Sequence, residues 1–143
     1  MQLSVFTDYS FRVLMFAAAR TDQWVTTKEI GSAYNISYHH LVKVVHKLSL
    51  CGFIKIRKGK GGGLQLAKPA NEISLGSVVR AMEPDFHLVA CFGRQSFACT
   101  IESTCGLKSE LHKALQAFLS SLDQKTLADT VPRRSPLWVP KAS

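Results

Sequence analysis

Apolar positions in this chain recur with two different periods, and the points where the period changes delimit its elements. From Thr7 to Arg20, the residues Phe11, Val13, Leu14, Met15 and Phe16 with three alanines put apolar side chains on nearly every face. That pattern predicts a buried first helix. Thr26 and Glu29 make a Thr-x-x-Glu capping box, and Ile30 and Ala33 follow at helical spacing, so a second, short helix begins there. A turn through Asn35 leads to Ser37, a residue whose hydroxyl suits the N-cap of a third helix. In it Leu41, Val44, Val45 and Leu48 recur at i, i+3, i+4 and i+7, a core-facing stripe. The opposite face carries His39, Lys43, His46 and Lys47. A short helix, a tight turn and a helix with a basic free side have the order of a helix-turn-helix.

Gly52 should end that helix, with Cys51 as a small buried side chain continuing its core stripe. From Phe53 to Arg57 the period changes to two, with Lys55 and Arg57 alternating with Ile54 and Ile56. Leu64 to Ala67 reads as the returning strand, and Lys58-Gly59-Lys60-Gly61-Gly62-Gly63 as the hairpin tip between them. The unit is a winged helix-turn-helix. Ser74 caps a further helix in which Leu75, Val78, Val79 and Met82 are apolar, and Pro84 stops it. From Leu107 to Leu122 an amphipathic helix carries Leu107, Leu111, Ala114, Leu115, Phe118, Leu119 and Leu122 on one stripe. Read as lying outside the compact winged domain, that stripe needs a partner, and a second copy of the chain is the simplest one.

The expected fold is therefore mainly α. A winged helix-turn-helix DNA-binding domain spans 1–83, a cysteine-bearing loop 84–106, and a dimerisation helix with its following turn 107–129. A tail over 130–143, with three prolines and no periodicity, is expected to be mobile.

Charge sharpens the choice of partner. Eighteen Lys and Arg against ten Asp and Glu give a net charge of +8 in 143 residues, which favours a polyanion. An anionic membrane surface would satisfy the same charge, so the helix-turn-helix decides for double-stranded DNA. Tyr38, His39, His40 and Lys43 sit near the N-terminal end of the second helix of the motif, where side chains reach base edges, with Lys47 further along. Lys58 and Lys60 flank the wing glycines and suit a wing lying along the minor groove. No run approaches the roughly 18 apolar residues of a membrane span, and the N-terminus lacks a signal-peptide pattern. A cytoplasmic protein with reduced thiols is expected, without membrane association. No nucleophile–base pair or substrate-pocket motif indicates an enzyme.

Chemistry concentrates in one stretch. Cys91, Cys99 and Cys105 follow a C-x7-C-x5-C spacing, while Cys51 stands apart. Structural zinc takes ligand pairs two to four residues apart, and the wider gaps here suit an iron–sulfur cluster wrapped by a loop better than a zinc knuckle. Three thiolates leave one coordination position open, and His87 and His112 bracket the stretch as candidates.

Several of these segments are shared with one family. Phe6-Thr7-Asp8-Tyr9 with Arg12, Leu41-Val42-Lys43, Gly59-Lys60-Gly61-Gly62 with Leu66-Ala67-Lys68-Pro69, the three cysteines, and Leu127-Ala128-Asp129 resemble the bacterial winged-helix iron–sulfur regulators. The resemblance runs from Met1 to about Asp129 and is strongest to the nitric-oxide-sensing repressors among them. It implies a homodimer that binds a palindromic DNA operator. It also implies a 4Fe–4S cluster held by Cys91, Cys99 and Cys105, with Asp8 of the partner subunit as fourth ligand. Arg12, four residues after Asp8, can pair with it on one helix face. The runner-up is an IscR-like or iron-responsive regulator. IscR-like members hold a 2Fe–2S cluster with a histidine three residues after the last cysteine, where this chain has Lys108. Lys58 replaces the usual wing arginine, which keeps the charge but loses the planar fork suited to a narrow groove. A cluster carrier without DNA binding is the remaining alternative.

Overall fold

A computed structural model describes residues 2–93 and 99–131. Its elements in chain order are α1 (Val5–Ala18), α2 (Thr27–Tyr34), α3 (Tyr38–Leu50), β1 (Ile54–Arg57), β2 (Gly63–Leu66), α4 (Leu75–Met82) and α5 (Gly106–Asp123). Short 3-10 turns at Ala70–Glu72, Ala90–Phe92, Glu102–Thr104 and Leu127–Asp129 join or follow them.

The local signals act through defined hydrogen bonds. Ser4, not Thr7, opens α1: its hydroxyl accepts from the Thr7 N–H at 3.2 Å. At α2 both halves of the capping box are present, Glu29 N–H to Thr26 Oγ1 at 3.2 Å and Thr26 N–H to Glu29 Oε2 at 2.6 Å. Asn35 ends α2 in the left-handed region (φ 53°), and Ser37 caps α3 through the His40 N–H. Leu41, Val44, Val45 and Leu48 are all buried and join Val13, Leu14 and Phe16 of α1 in the main core.

Cys51 departs from expectation, because it is exposed. The helix stops at Leu50, and the chain turns in a Schellman motif, with Phe53 N–H on the Leu48 carbonyl and Gly52 N–H on the Ser49 carbonyl, each at 3.0 Å. Gly52 takes φ 75°, so Phe53, rather than Cys51, enters the core.

β1 and β2 pair antiparallel from Ile54↔Leu66 to Arg57↔Gly63. Val25 adds a short bridge to Leu64, bonded in both directions at 3.0 and 2.7 Å. Lys55 and Arg57 lie on the exposed face of this wing.

The long helix also departs from expectation. α5 is docked on its own subunit: Leu115 and Leu119 are buried with Val79 of α4, and Leu3, Phe11, Phe86 and Phe92 pack around them. Arg80 and Asp123 clamp α4 to α5 through two parallel bonds of 2.5 and 2.7 Å. A Cβ at Gly76 would meet the Asp123 carboxylate, so a larger residue there would displace the pair from its present position. After α5 the chain returns to the winged domain. Leu127 is fully buried, its N–H bonds the Ile73 carbonyl at 2.8 Å, and Asp129 closes a second capping box with Thr126. Segment 107–129 thus packs against the winged domain, through Leu115 and Leu119 on Val79 and through Leu127 at Ile73. Val131 also packs against the main core. The rest of the expected tail, 132–143, lies outside the described residues.

One polar junction ties these parts together. Glu83, the last residue before Pro84, accepts from Ser4 N–H (3.1 Å), Ser4 Oγ (3.0 Å) and the fully buried Thr7 Oγ1 (2.5 Å). A carboxylate at the N-terminal end of α1 is also favoured by the helix dipole. Glu83→Ala leaves these donors without their acceptor, and we expect a stability loss of about 2–4 kcal/mol in urea unfolding. A loss under about 0.5 kcal/mol would show that the junction contributes little.

Candidate nucleic-acid interface and thiolate centre

The free side of α3 is a polar strip with an apolar spot in it. Tyr38, His39, His40, Lys43, His46 and Lys47 are all exposed, as sequence reasoning placed them. Val42 lies among them at 41% exposure, an apolar side chain that hydrophobic periodicity alone assigns no role. On a recognition helix such a side chain can meet a thymine methyl group. His40 is turned toward α1, its ring 6.3 Å from that of Tyr9, while Tyr38 and His39 meet edge to face at 6.1 Å. His40 is therefore shared between the outer face and the α1 contact.

In the wing, Lys58 and Lys60 are exposed at the tip. A Cβ at Gly62 would run into the Arg57 carbonyl, which explains a glycine in the middle of the turn. Sequence reasoning missed the neighbouring Trp24, whose ring lies 4.4 Å from the Arg57 guanidinium and 5.6 Å from the Lys55 ammonium. A tryptophan just ahead of a capping box carried no signal until the wing was seen to fold back on it.

On α1, Asp8 and Arg12 form an ion pair at 2.9 Å, Nε to Oδ2, with both side chains partly exposed. The Arg12 guanidinium also sits 5.8 Å from the ring centre of Tyr34, at the end of α2. Burial pushes the Tyr34 hydroxyl up to about 12, against the opposing charges of Arg12 and Arg20.

Cys91 lies on the turn Ala90–Phe92, and Cys105 is the N-cap residue of α5. Both line one cavity between the segment after α4 and the flank of α5, together with His87, Lys108 and His112. Cys99 is exposed at the far side of 94–98, which are outside the described residues. All four cysteines are free thiols. Lys108 donates to Glu102 at 2.6 Å; that bond raises its pKa, and the nearby Cys91 and Cys105 sulfurs act in the same direction. His87 is held by Asp85 through its backbone N–H at 3.0 Å, and His112 stacks edge to face with Phe92. Among the described residues, no three His, Cys, Asp or Glu side chains converge on a single metal-ion position. The structure brings Cys91 and Cys105 to one cavity, and leaves Cys99 and Asp8 outside it. The donor chemistry fits a soft iron–sulfur group: reduced sulfurs on two loop ends, beside a fixed cation.

A winged helix-turn-helix with a basic recognition face defines a transcription regulator. Residues 3–133 match the Rrf2 family, described as an iron-dependent transcriptional regulator, and the chain belongs to that family. It is 42% identical over 135 residues to the HTH-type transcriptional regulator NsrR of Bacillus subtilis, covering 94% of this chain and 92% of that one. To the NsrR regulator of Halalkalibacterium halodurans it is 41% identical over 138 residues, 96% and 94% of the two chains. Among solved structures, T. potens IscR superposes with a TM-score of 0.68 at 25% identity, covering 90% of this chain and 85% of that one. CymR, the global cysteine regulator of B. subtilis, superposes with a TM-score of 0.74 at 21% identity, covering 94% and 99%, a likeness of fold alone. The family is one of regulators, not enzymes. Among the described residues no helix is long and apolar enough to cross a membrane.

If the wing tip meets phosphates, the double variant Lys58→Ala/Lys60→Ala should lower the slope of log K against log salt by about two units, one per contact. An unchanged slope in the double variant would mean that the wing points away from the duplex.

Proposed function

We propose that this chain is a homodimeric, DNA-binding transcriptional repressor that holds a 4Fe–4S cluster and responds to nitric oxide, acting in the cytoplasm on a palindromic operator. Nitric oxide detoxification genes are the targets this reading implies. The observation that carries it is the pairing of Cys91 and Cys105 on one cavity at the root of α5, in a chain about 42% identical to regulators named NsrR. Cys91, Cys99 and Cys105 supply the thiolates, and Asp8 of the partner subunit supplies an oxygen. When bound, the cluster offers a carboxylate-held iron, the hardest and most exchangeable of its ligand positions. The 2Fe–2S alternative is disfavoured, because Lys108 stands where its histidine would be and is already engaged by Glu102.

The roles of the chain's own residues follow. Asp8 given to the partner's centre leaves Arg12 without its acid, and Asp8 returned restores the 2.9 Å pair on α1. The Arg12 guanidinium lies 5.8 Å from the ring centre of Tyr34, so the Asp8–Arg12 pair adjoins the end of α2, the first helix of the DNA-reading motif. With the acid taken from one subunit and the thiolates from the other, Asp8 and the three cysteines would tie the two recognition helices at one distance when the group is bound, and that distance is what a palindrome reads. The dimer contact is assigned to what remains open on α5. Leu107 is 65% exposed, and Ala114, Leu111 and Phe118 complete a strip beside it. Leu107→Glu or Leu111→Glu, rather than changes at the internally buried Leu115, is the informative way to disrupt it.

Single Cys→Ala variants purified without oxygen should lose iron and sulfide at positions 91, 99 and 105 and keep them at 51. Asp8→Cys should still assemble a cluster but react more slowly with nitric oxide. Full iron content in Cys99→Ala, or wild-type nitric oxide kinetics in Asp8→Ala, would overturn the ligand set.

A further inference from the structure

We infer that Trp24 is a positioning residue for DNA binding: its ring holds Arg57, and through Arg57 the wing tip, in the attitude that brings Lys58 and Lys60 to the duplex. The inference rests on the DNA-binding reading above and adds to it a residue outside both the recognition helix and the tip.

The wing tip has little of its own to hold it in shape. Gly59 and Gly61 sit at φ 92° and 70°, and four of the six residues from Lys58 to Gly63 are glycine. Such a run has the largest backbone entropy to lose when it docks. Within the tip, a backbone bond from Gly62 N–H to the Gly59 carbonyl at 2.9 Å closes the turn. The rest of the restraint comes from Arg57. Its Nη2 donates to the Gly61 carbonyl, across the tip, while its guanidinium carbon lies over the Trp24 ring, 4.4 Å from the ring centre. One planar cation is thus fastened to the tip at one edge and to an aromatic face at the other.

Trp24 is itself well anchored. It is half-buried and immediately precedes Val25, which is buried and bonded both ways to Leu64 of β2. Gly63 allows this close approach, since a Cβ there would stand 2.5 Å from the Val25 carbonyl. Lys55, two residues before Arg57 and so on the same strand face, also reaches the ring at 5.6 Å. The segment that enters the helix-turn-helix and the wing are therefore joined on the solvent side by Trp24–Arg57 and on the core side by Val25–Leu64. Only arginine can serve at position 57: lysine keeps the charge but has no plane to stack and no second N–H group to span both contacts. With Arg57 committed to the brace, Lys58 and Lys60 remain as the wing's cations for phosphate.

The test exploits a variant that removes no charge. Full-length wild type, Trp24→Ala, Trp24→Phe and Arg57→Lys are titrated onto a mixed-sequence DNA duplex across a salt series, with circular dichroism as the check on folding. Trp24→Ala should weaken binding about fivefold and lower the salt slope by one to two units, although its formal charge is that of wild type. Trp24→Phe should recover most of both, and Arg57→Lys should resemble Trp24→Ala; if the latter does not fold, Arg57→Lys carries the test. In a Lys58→Ala/Lys60→Ala background, Trp24→Ala should have no further effect, because it acts through those lysines. Wild-type affinity and slope in Trp24→Ala and Arg57→Lys, or full additivity in the triple variant, would overturn the proposal. Absence of DNA binding by wild type would instead overturn the reading on which it rests.

Discussion

The carboxylate of Glu83 is the point at which this architecture is joined. It ends α4, accepts from three donors of Ser4 and Thr7 at the start of α1, and stands directly before the segment that leads to Cys91. The first turn of α1 carries Asp8, so one junction fixes two things relative to each other within a subunit. These are the acid assigned to the partner's centre and the root of the subunit's own thiolate loop. Thr7 is buried without exposure to solvent, and removing Glu83 takes away the charged acceptor of its hydroxyl and leaves it only the neighbouring Ser4 hydroxyl, 3.1 Å away.

Around that junction the domain is more continuous than a DNA-binding head with an attached dimerisation arm. α5 covers Val79 and Phe11 with Leu115 and Leu119, the Arg80–Asp123 pair locks it to α4, and Leu127 plugs the core beneath Ile73. The Arg80 guanidinium holds the Asp123 carboxyl below the usual carboxylate range, so this clamp is intact near neutrality and is lost only as pH falls through that depressed value. The consequence for function is mechanical. A change at the cavity beside Cys91 and Cys105 is made against a helix rigidly tied to the DNA-reading unit, so it need not cross a flexible linker.

Much of this was legible in the sequence, and the failures have physical causes. The helix-turn-helix was readable because its signals are local: the Thr26–Glu29 box, the Ser37 cap and the stripe from Leu41 to Leu48 each act within one turn. Cys51 was misplaced because extending a helical stripe by one step ignores the Schellman turn at Gly52, which hands the inward position to Phe53. Periodicity shows that the α5 stripe is apolar, never what covers it, and here its own domain covers part of it. Glu83, Trp24 and the Arg80–Asp123 pair depend on residues far apart in the chain, and no spacing rule reaches them. Among the candidate ligands, the Asp8–Arg12 contact was foreseeable from i, i+4 spacing, whereas the shared cavity of Cys91 and Cys105 required the fold.

In the function proposed, occupancy of the thiolate centre sets DNA affinity. The most direct measurement follows both quantities in one anaerobic cuvette: cluster absorbance and the fluorescence anisotropy of a labelled palindromic operator, selected with this protein, as nitric oxide is added. The account predicts that anisotropy falls in step with the absorbance of the intact cluster and that added reagent has no effect on a Cys→Ala variant lacking iron. Loss of the cluster absorbance with operator affinity unchanged would contradict it.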